Sequence, residues 1–123
     1  MKYEIHKLDK RYRYEAWFKY YIGFGSRMSV NRGPENFNRV QRWFTDTYGW
    51  SAEVRQYEDM YNWSVVKAPM IAVKGGFAKP RPKTLPEYCN PNWAWTNVYD
   101  DLRIYVKDDP ELAFFQLANP VDQ

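Results

Sequence analysis

Residues 102–119 read LRIYVKDDPELAFFQLAN. In the first six, Leu102, Ile104 and Val106 alternate with Arg103, Tyr105 and Lys107, the period of two expected of a strand with one buried face. Asp109 then suits a helix N-cap, Pro110 a first helical position, and Glu111 the positive end of the helix dipole. Leu112, Phe115 and Ala118 recur at helical spacing as a buried stripe, and Asn119-Pro120 stops the helix. A strand and a helix joined by a short acidic turn each need a second layer to bury their apolar sides. The natural solution is a sheet with helices laid on it, which is an α+β protein.

The segments upstream extend this reading. Trp93, Trp95 and Asn97 alternate with Ala94 and Thr96, and Asp100-Asp101 offers the turn that makes a hairpin with 102–107. At the other end, residues 2–8 (KYEIHKL) form a strand with Tyr3 and Ile5 on its apolar face. Asp9 then caps a helix expected over 10–22, whose stripe is Tyr14, Trp17, Phe18, Tyr21 and Ile22, with Gly23 and Gly25 ending it. A second helix starts at Pro34 and ends at Gly49. It turns Phe37, Val40 and Phe44 inward, widened by Trp43 and Thr47, and Asn38, Arg39, Arg42 and Asp46 outward.

Residues 50–54 alternate like a strand, although Ala, Glu, Arg and Gln within 51–58 equally favour helix, and both readings stay open. Residues 61–67 and 70–73 are strand-like, with Pro69 bending them or placing them at an edge. Residues 75–92 carry Pro80, Pro82, Pro86 and Pro91 and read as one long extended loop. The expectation is a single domain over 1–123 in the order β-α-α-β-β-loop-β-β-α. Its sheet is antiparallel or mixed, with about three helices packed on it.

Composition removes whole classes of function. Of 123 residues, 24 are aromatic, yet mean hydropathy is −0.77, so no run approaches the ~20 apolar residues that cross a bilayer. The N-terminal residues lack the apolar middle of a signal peptide, and the chain is expected to be neither secreted nor membrane-bound. One cysteine, Cys89, makes no internal disulfide, and with one histidine, His6, the usual structural zinc sites are excluded. No metal and no cofactor is expected.

Catalytic resources are correspondingly thin. A serine triad would have to use His6, and the one thiol dyad available is Cys89–His6. Cys89 lies in the proline-rich loop without a helix N-terminus to lower its pKa. The acidic pairs Glu58-Asp59, Asp100-Asp101 and Asp108-Asp109 sit at turns, where Asp serves the backbone more often than a metal. GFGS at 23–26 lacks the third glycine of a phosphate-binding turn, Met28 standing in its place. A small enzyme working through Cys89 or an acidic cluster is therefore the last of three readings.

Binding to another macromolecule comes first. Residues 1–45 hold ten Lys/Arg against four Asp/Glu, whereas the remainder is net acidic. Arg27, Arg32, Arg39 and Arg42, with KRYRYEAWFKYY at 10–21, make nucleic acid the second reading, because arginine meets phosphate and exposed rings stack on bases. Protein binding is preferred, because 24 rings exceed what one core of this size requires. Trp, Tyr and Arg are also the residues that anchor interfaces. The expected contact residues are Tyr57, Tyr61, Trp63, Arg81, Tyr88 and Trp93, with a homo-oligomer as one form of such contact.

The strand, acidic turn and short helix of LRIYVKDDPELAFFQLAN, together with the Tyr/Trp-rich composition, resemble the closing segment of small orphan α+β accessory proteins of tailed bacteriophages. The resemblance implies a protein that binds, and so inhibits or recruits, a host or virion protein. It also implies a place in the host cytoplasm or on the virion. It assigns no site residue.

Overall fold

The computed structural model describes residues 2–12, 14–15, 17–25, 33–56, 71–73, 76–78, 90–97 and 101–120, with 71–73 and 76–78 described as backbone. Its centre is a four-stranded antiparallel sheet in the order β1-β2-β6-β5, built from β1 (Glu4–Lys7), β2 (Tyr20–Gly23), β5 (Trp93–Thr96) and β6 (Arg103–Val106). A separate hairpin pairs β3 (Ile71–Val73) with β4 (Gly76–Ala78). Helix α1 spans Gly33–Tyr48, residues 54–56 form a helical turn, and α2 spans Asp109–Ala118. The class is the expected α+β, with helices on an antiparallel sheet.

The register explains the aromatic content. Side chains of a strand alternate between faces, so the cross-strand row Ile5–Ile22–Ile104–Trp95 faces one side and His6–Tyr21–Tyr105–Ala94 the other. The first face packs Ile22, Ile104, Val106 and Trp93 under Phe37, Val40 and Phe44 of α1 and Leu112 and Phe115 of α2. The second face is covered as well. Leu8, Tyr14, Phe18, Ala52 and Val54 close over Tyr21, Tyr105 and Ala94. A sheet buried on both sides needs two cores, and Tyr14, Phe18, Tyr21 and Tyr105 furnish the second. Rings that looked surplus to one core are used there. The same cover removes the row His6–Tyr21–Tyr105 as an open platform on which bases could stack.

One element differs from expectation. Residues 10–22 are not the expected helix: the described residues 10–12, 14–15 and 17 lie in turns and bends, and 20–23 are strand β2. The turns are closed by bonds from Tyr12 N to Asp9 O and from Trp17 N and Phe18 N to Tyr14 O. Such turns place Tyr14, Trp17 and Phe18 together as a helix would, which is why the spacing resembles one. Tyr20-Tyr21-Ile22 is a run of strand-favouring side chains, and pairing on two sides sends Tyr21 to one core and Ile22 to the other. Gly23 therefore lies inside a strand, while Gly25, at φ 80°, turns the chain after it.

Smaller corrections follow the same logic. Residues 51–54 are buried without alternation and Trp50 is exposed, Glu53 makes an isolated parallel bridge to Trp95, and the chain turns helical at 54–56, so the strand reading fails and the helical one holds for 54–56. Strand β4 occupies the start of the expected loop at 75–92, and the loop's residues 79–89 lie outside the described ones. The cap of α2 is Asp108, one residue before the expected Asp109, its carboxylate accepting from Asp109 N at 2.7 Å. Ala118 is exposed rather than part of the buried stripe.

Helix α1 ends where expected, at Gly49, whose φ of 93° is costly for any residue with a Cβ. The last carbonyls of a helix have no partner within it. Here the Asn90 amide donates to the carbonyls of Tyr48, Gly49 and Trp50 at 3.1, 3.3 and 3.2 Å.

Candidate functional site

Helix α2 is fastened at both ends. At its start Asp109 accepts from Tyr20 Oη and from Lys19 Nζ, the latter at 2.9 Å, and these two partners hold the Asp109 carboxyl below the usual carboxylate range. At its end Tyr3 Oη donates to Asn119 O at 2.7 Å. Leu112 and Phe115 enter the first core between these ties. Trp43 of α1 touches Phe114 and Phe115, with ring centroids 5.4 and 5.8 Å apart, and Phe44 stacks on Phe115 at 5.6 Å. The Tyr48 phenol, raised mainly by burial, also senses the Glu111 carboxylate.

The outer side of α2 is what sets this helix apart. An ordinary surface helix turns charges to water. Here the exposed side chains include Pro110, Ala113, Phe114, Leu117 and Ala118, with Phe114 51% and Leu117 83% exposed. Trp43 lies half-buried beside Phe114. Arg39 and Asp46 flank it on the same stripe of α1, at i−4 and i+3, and Arg42 stands on the adjoining exposed side. Among the described residues, Arg39, Arg42 and Asp46 make no ion pair. Beyond the end of α1, Trp50 is 71% exposed. Phe114 and Leu117 together leave roughly 200–300 Å² of apolar surface in water, about 5–7 kcal/mol of burial that a partner would realise before association costs.

The expected contact residues fare differently. Trp93 is a core residue, not a contact. It is 1% exposed, packs its ring 5.4 Å from Phe44, and donates Nε1 to Gly49 O at 3.0 Å. Strand alternation tells that it shares a face with Trp95 but not that the face is covered by α1. Tyr57, Tyr61, Trp63, Arg81 and Tyr88 lie outside the described residues, as do Cys89, Arg27 and Arg32. Arg39 and Arg42 are exposed on α1 as expected. Phe114 and Leu117 were missed. The signal was present, because FFQLA continues apolar after the stripe Leu112–Phe115 is complete, leaving Phe114 and Leu117 on the opposite side of the helix.

The catalytic resources in the described part are engaged in structure. His6 bonds Glu4 at 3.2 Å and stacks on Tyr21 at 4.6 Å. Asp101 holds Arg103 at 2.6 Å, and the Arg103 guanidinium lies 4.2 Å from the Tyr21 ring centre. Burial opposes the charge of Arg103, and Asp101 more than offsets it, so its pKa is raised. Asp108 and Asp109 share Lys19. Among the described residues no three His, Cys, Asp or Glu side chains gather as a metal site. None of the described helices is long and apolar enough to cross a membrane. No protein-family model, curated protein or solved structure matches the chain.

Proposed function

We propose that this chain is a non-enzymatic protein-binding module whose contact face is the outer side of α2 with Trp43 and Arg39 beside it. The observation that carries the reading is the solvent-facing pair Phe114 and Leu117 on a helix tied at both ends. A firmly held apolar helix face offers a partner its side chains with little ordering cost. The resemblance of 102–119 to phage accessory proteins makes a host or virion protein the partner class. The test is capture from nuclease-treated lysate of the source organism by tagged full-length protein, wild type against Leu117→Glu. Because Leu117 is mostly exposed, the variant keeps its fold, and partner recovery is expected to fall at least tenfold. Equal recovery by both proteins refutes the face.

A second reading, nucleic-acid binding, draws on Arg39 and Arg42, exposed and outside any ion pair among the described residues. It predicts a shift of single- or double-stranded probes at low salt that weakens steeply as salt rises and is reduced in Arg39→Ala/Arg42→Ala. Absence of any shift at low salt removes it.

A further inference from the structure

The binding face has a charge pattern that matches itself. Arg39, Trp43 and Asp46 lie on one stripe of α1, at i, i+4 and i+7. Arg39 and Asp46 are separated along the axis by about 10 Å, with Trp43 near the midpoint. Trp43 is also the side chain that touches Phe114. An apolar centre thus has a cation on one side and an anion at a similar distance on the other. A twofold axis through the centre, perpendicular to α1, exchanges those two ends. We propose that in the free protein a second copy of this chain occupies the face, as an antiparallel twofold dimer. In it the apolar centres of the two copies, each Trp43 with Phe114 and Leu117 beside it, pack on one another, and Arg39 of each copy meets Asp46 of the other.

Closed twofold dimers are built from patches of this self-complementary kind. A parallel arrangement would set Arg39 against Arg39 and Asp46 against Asp46, so the charges select the antiparallel one. The apolar centre of roughly 200–300 Å² per copy is well short of the ~800 Å² per partner of a standard stable interface. The dimer is therefore expected to exchange, with dissociation in the micromolar range or weaker. Such a dimer leaves the face available to a foreign partner of higher affinity. The inference rests on the reading of this surface as a protein-binding face.

Sedimentation velocity of the full chain, from about 10 µM to about 1 mM, reads the association directly. Wild type is expected to pass from monomer to dimer over this range, and Leu117→Glu to stay monomeric. Arg39→Glu alone sets the introduced carboxylate against Asp46 at both contacts. Asp46→Arg alone sets the introduced guanidinium against Arg39 at both. Each is expected to weaken dimerisation about tenfold, from two surface pairs turned repulsive. An equimolar mixture of these two variants forms a heterodimer with one contact between the two introduced charges and one between the native Arg39 and Asp46. Unlike charges then meet at both contacts, and the mixture is expected to regain wild-type association. Far-UV circular dichroism confirms that each variant is folded. A wild type that dimerises while the mixture shows no rescue overturns the antiparallel arrangement. A wild type that stays monomeric to 1 mM overturns self-association altogether. If Leu117→Glu still abolishes partner capture in that case, the binding face stands without the dimer. If it does not, both fall.

Discussion

Replacing Trp93 separates a core role from a contact role. The side chain is almost wholly enclosed, with its ring against Phe44 and its indole N–H on the carbonyl of Gly49. A buried tryptophan removes about 200 Å² from water, which at about 25 cal/mol per Å² is worth about 5 kcal/mol as an upper figure. Truncation keeps the Cβ but leaves a cavity between β5 and α1, and Trp93→Ala is expected to cost about 3–5 kcal/mol. Trp93→Phe keeps much of the packing and loses the hydrogen bond. Gly49 O still accepts from Asn90 Nδ2, so no carbonyl is orphaned, and the cost is expected to be about 1–2 kcal/mol. With total stability of about 5–15 kcal/mol and a urea slope of about 1–3 kcal/mol per M, the alanine variant should lose roughly 2–3 M in midpoint. The phenylalanine variant should lose about a third of that. Far-UV circular dichroism is the suitable probe, because six tryptophans blur a fluorescence signal. A Trp93→Ala protein with an unchanged midpoint and weakened partner binding would refute the burial argument and restore Trp93 as a contact.

Two further substitutions probe the ties around the face. Asn90→Ala removes the donor shared by three carbonyls at the end of α1 and is expected to cost about 1–2 kcal/mol, read from the same urea midpoint. Asp109→Asn tests the anchor of α2 through pH. The folded carboxyl is held below its unfolded value of about 4, so its contribution is present above pH 4 and is lost as pH falls through the folded pKa. Wild type should therefore exceed Asp109→Asn in urea midpoint at pH 7, and the gap should close towards pH 2. A gap that is constant with pH would show that the carboxylate charge does not matter.

What could be read from the chain divides by range. Strand β1, helix α1, the β5–β6 pair and α2 follow from periodicities within single segments, each supported by local chemistry such as Pro34, Gly49 or Asp108-Asp109-Pro110. The misreading at 10–22 arose because Tyr14, Trp17 and Phe18 are brought together by turns at the spacing a helix would use. Pairing on both sides, with Ile5 and His6 of β1 and with Ile104 and Tyr105 some eighty residues away, decides that Tyr20–Gly23 is a strand. The site shows the same boundary. Arg39 and Arg42 were legible as exposed because a helix turns its polar side outward. Trp93 was not legible as buried, because what covers it is α1, contributed from the other half of the chain. Phe114 and Leu117 could have been found by completing the helical wheel beyond the buried stripe.

The contacts between 49–54 and 90–95 carry a consequence for how the chain can vary. Ser51 Oγ reaches Trp93 O at 2.6 Å, Trp95 Nε1 donates to Ser51 O at 3.1 Å, Glu53 bridges Trp95, and Asn90 holds the end of α1. Residues 49–54 and 90–95 therefore run side by side in the same direction, so the chain leaves this clasp at one end and re-enters it at the other, and the clasp closes 57–89 into a loop. Closing such a loop costs only about 0.6 kcal/mol more for each doubling of its length. The bonds of the clasp come from residues outside 57–89, so a change of length within that stretch removes none of them. Drift in the chain's length should accumulate there, while the face carried by α1 and α2 keeps its geometry.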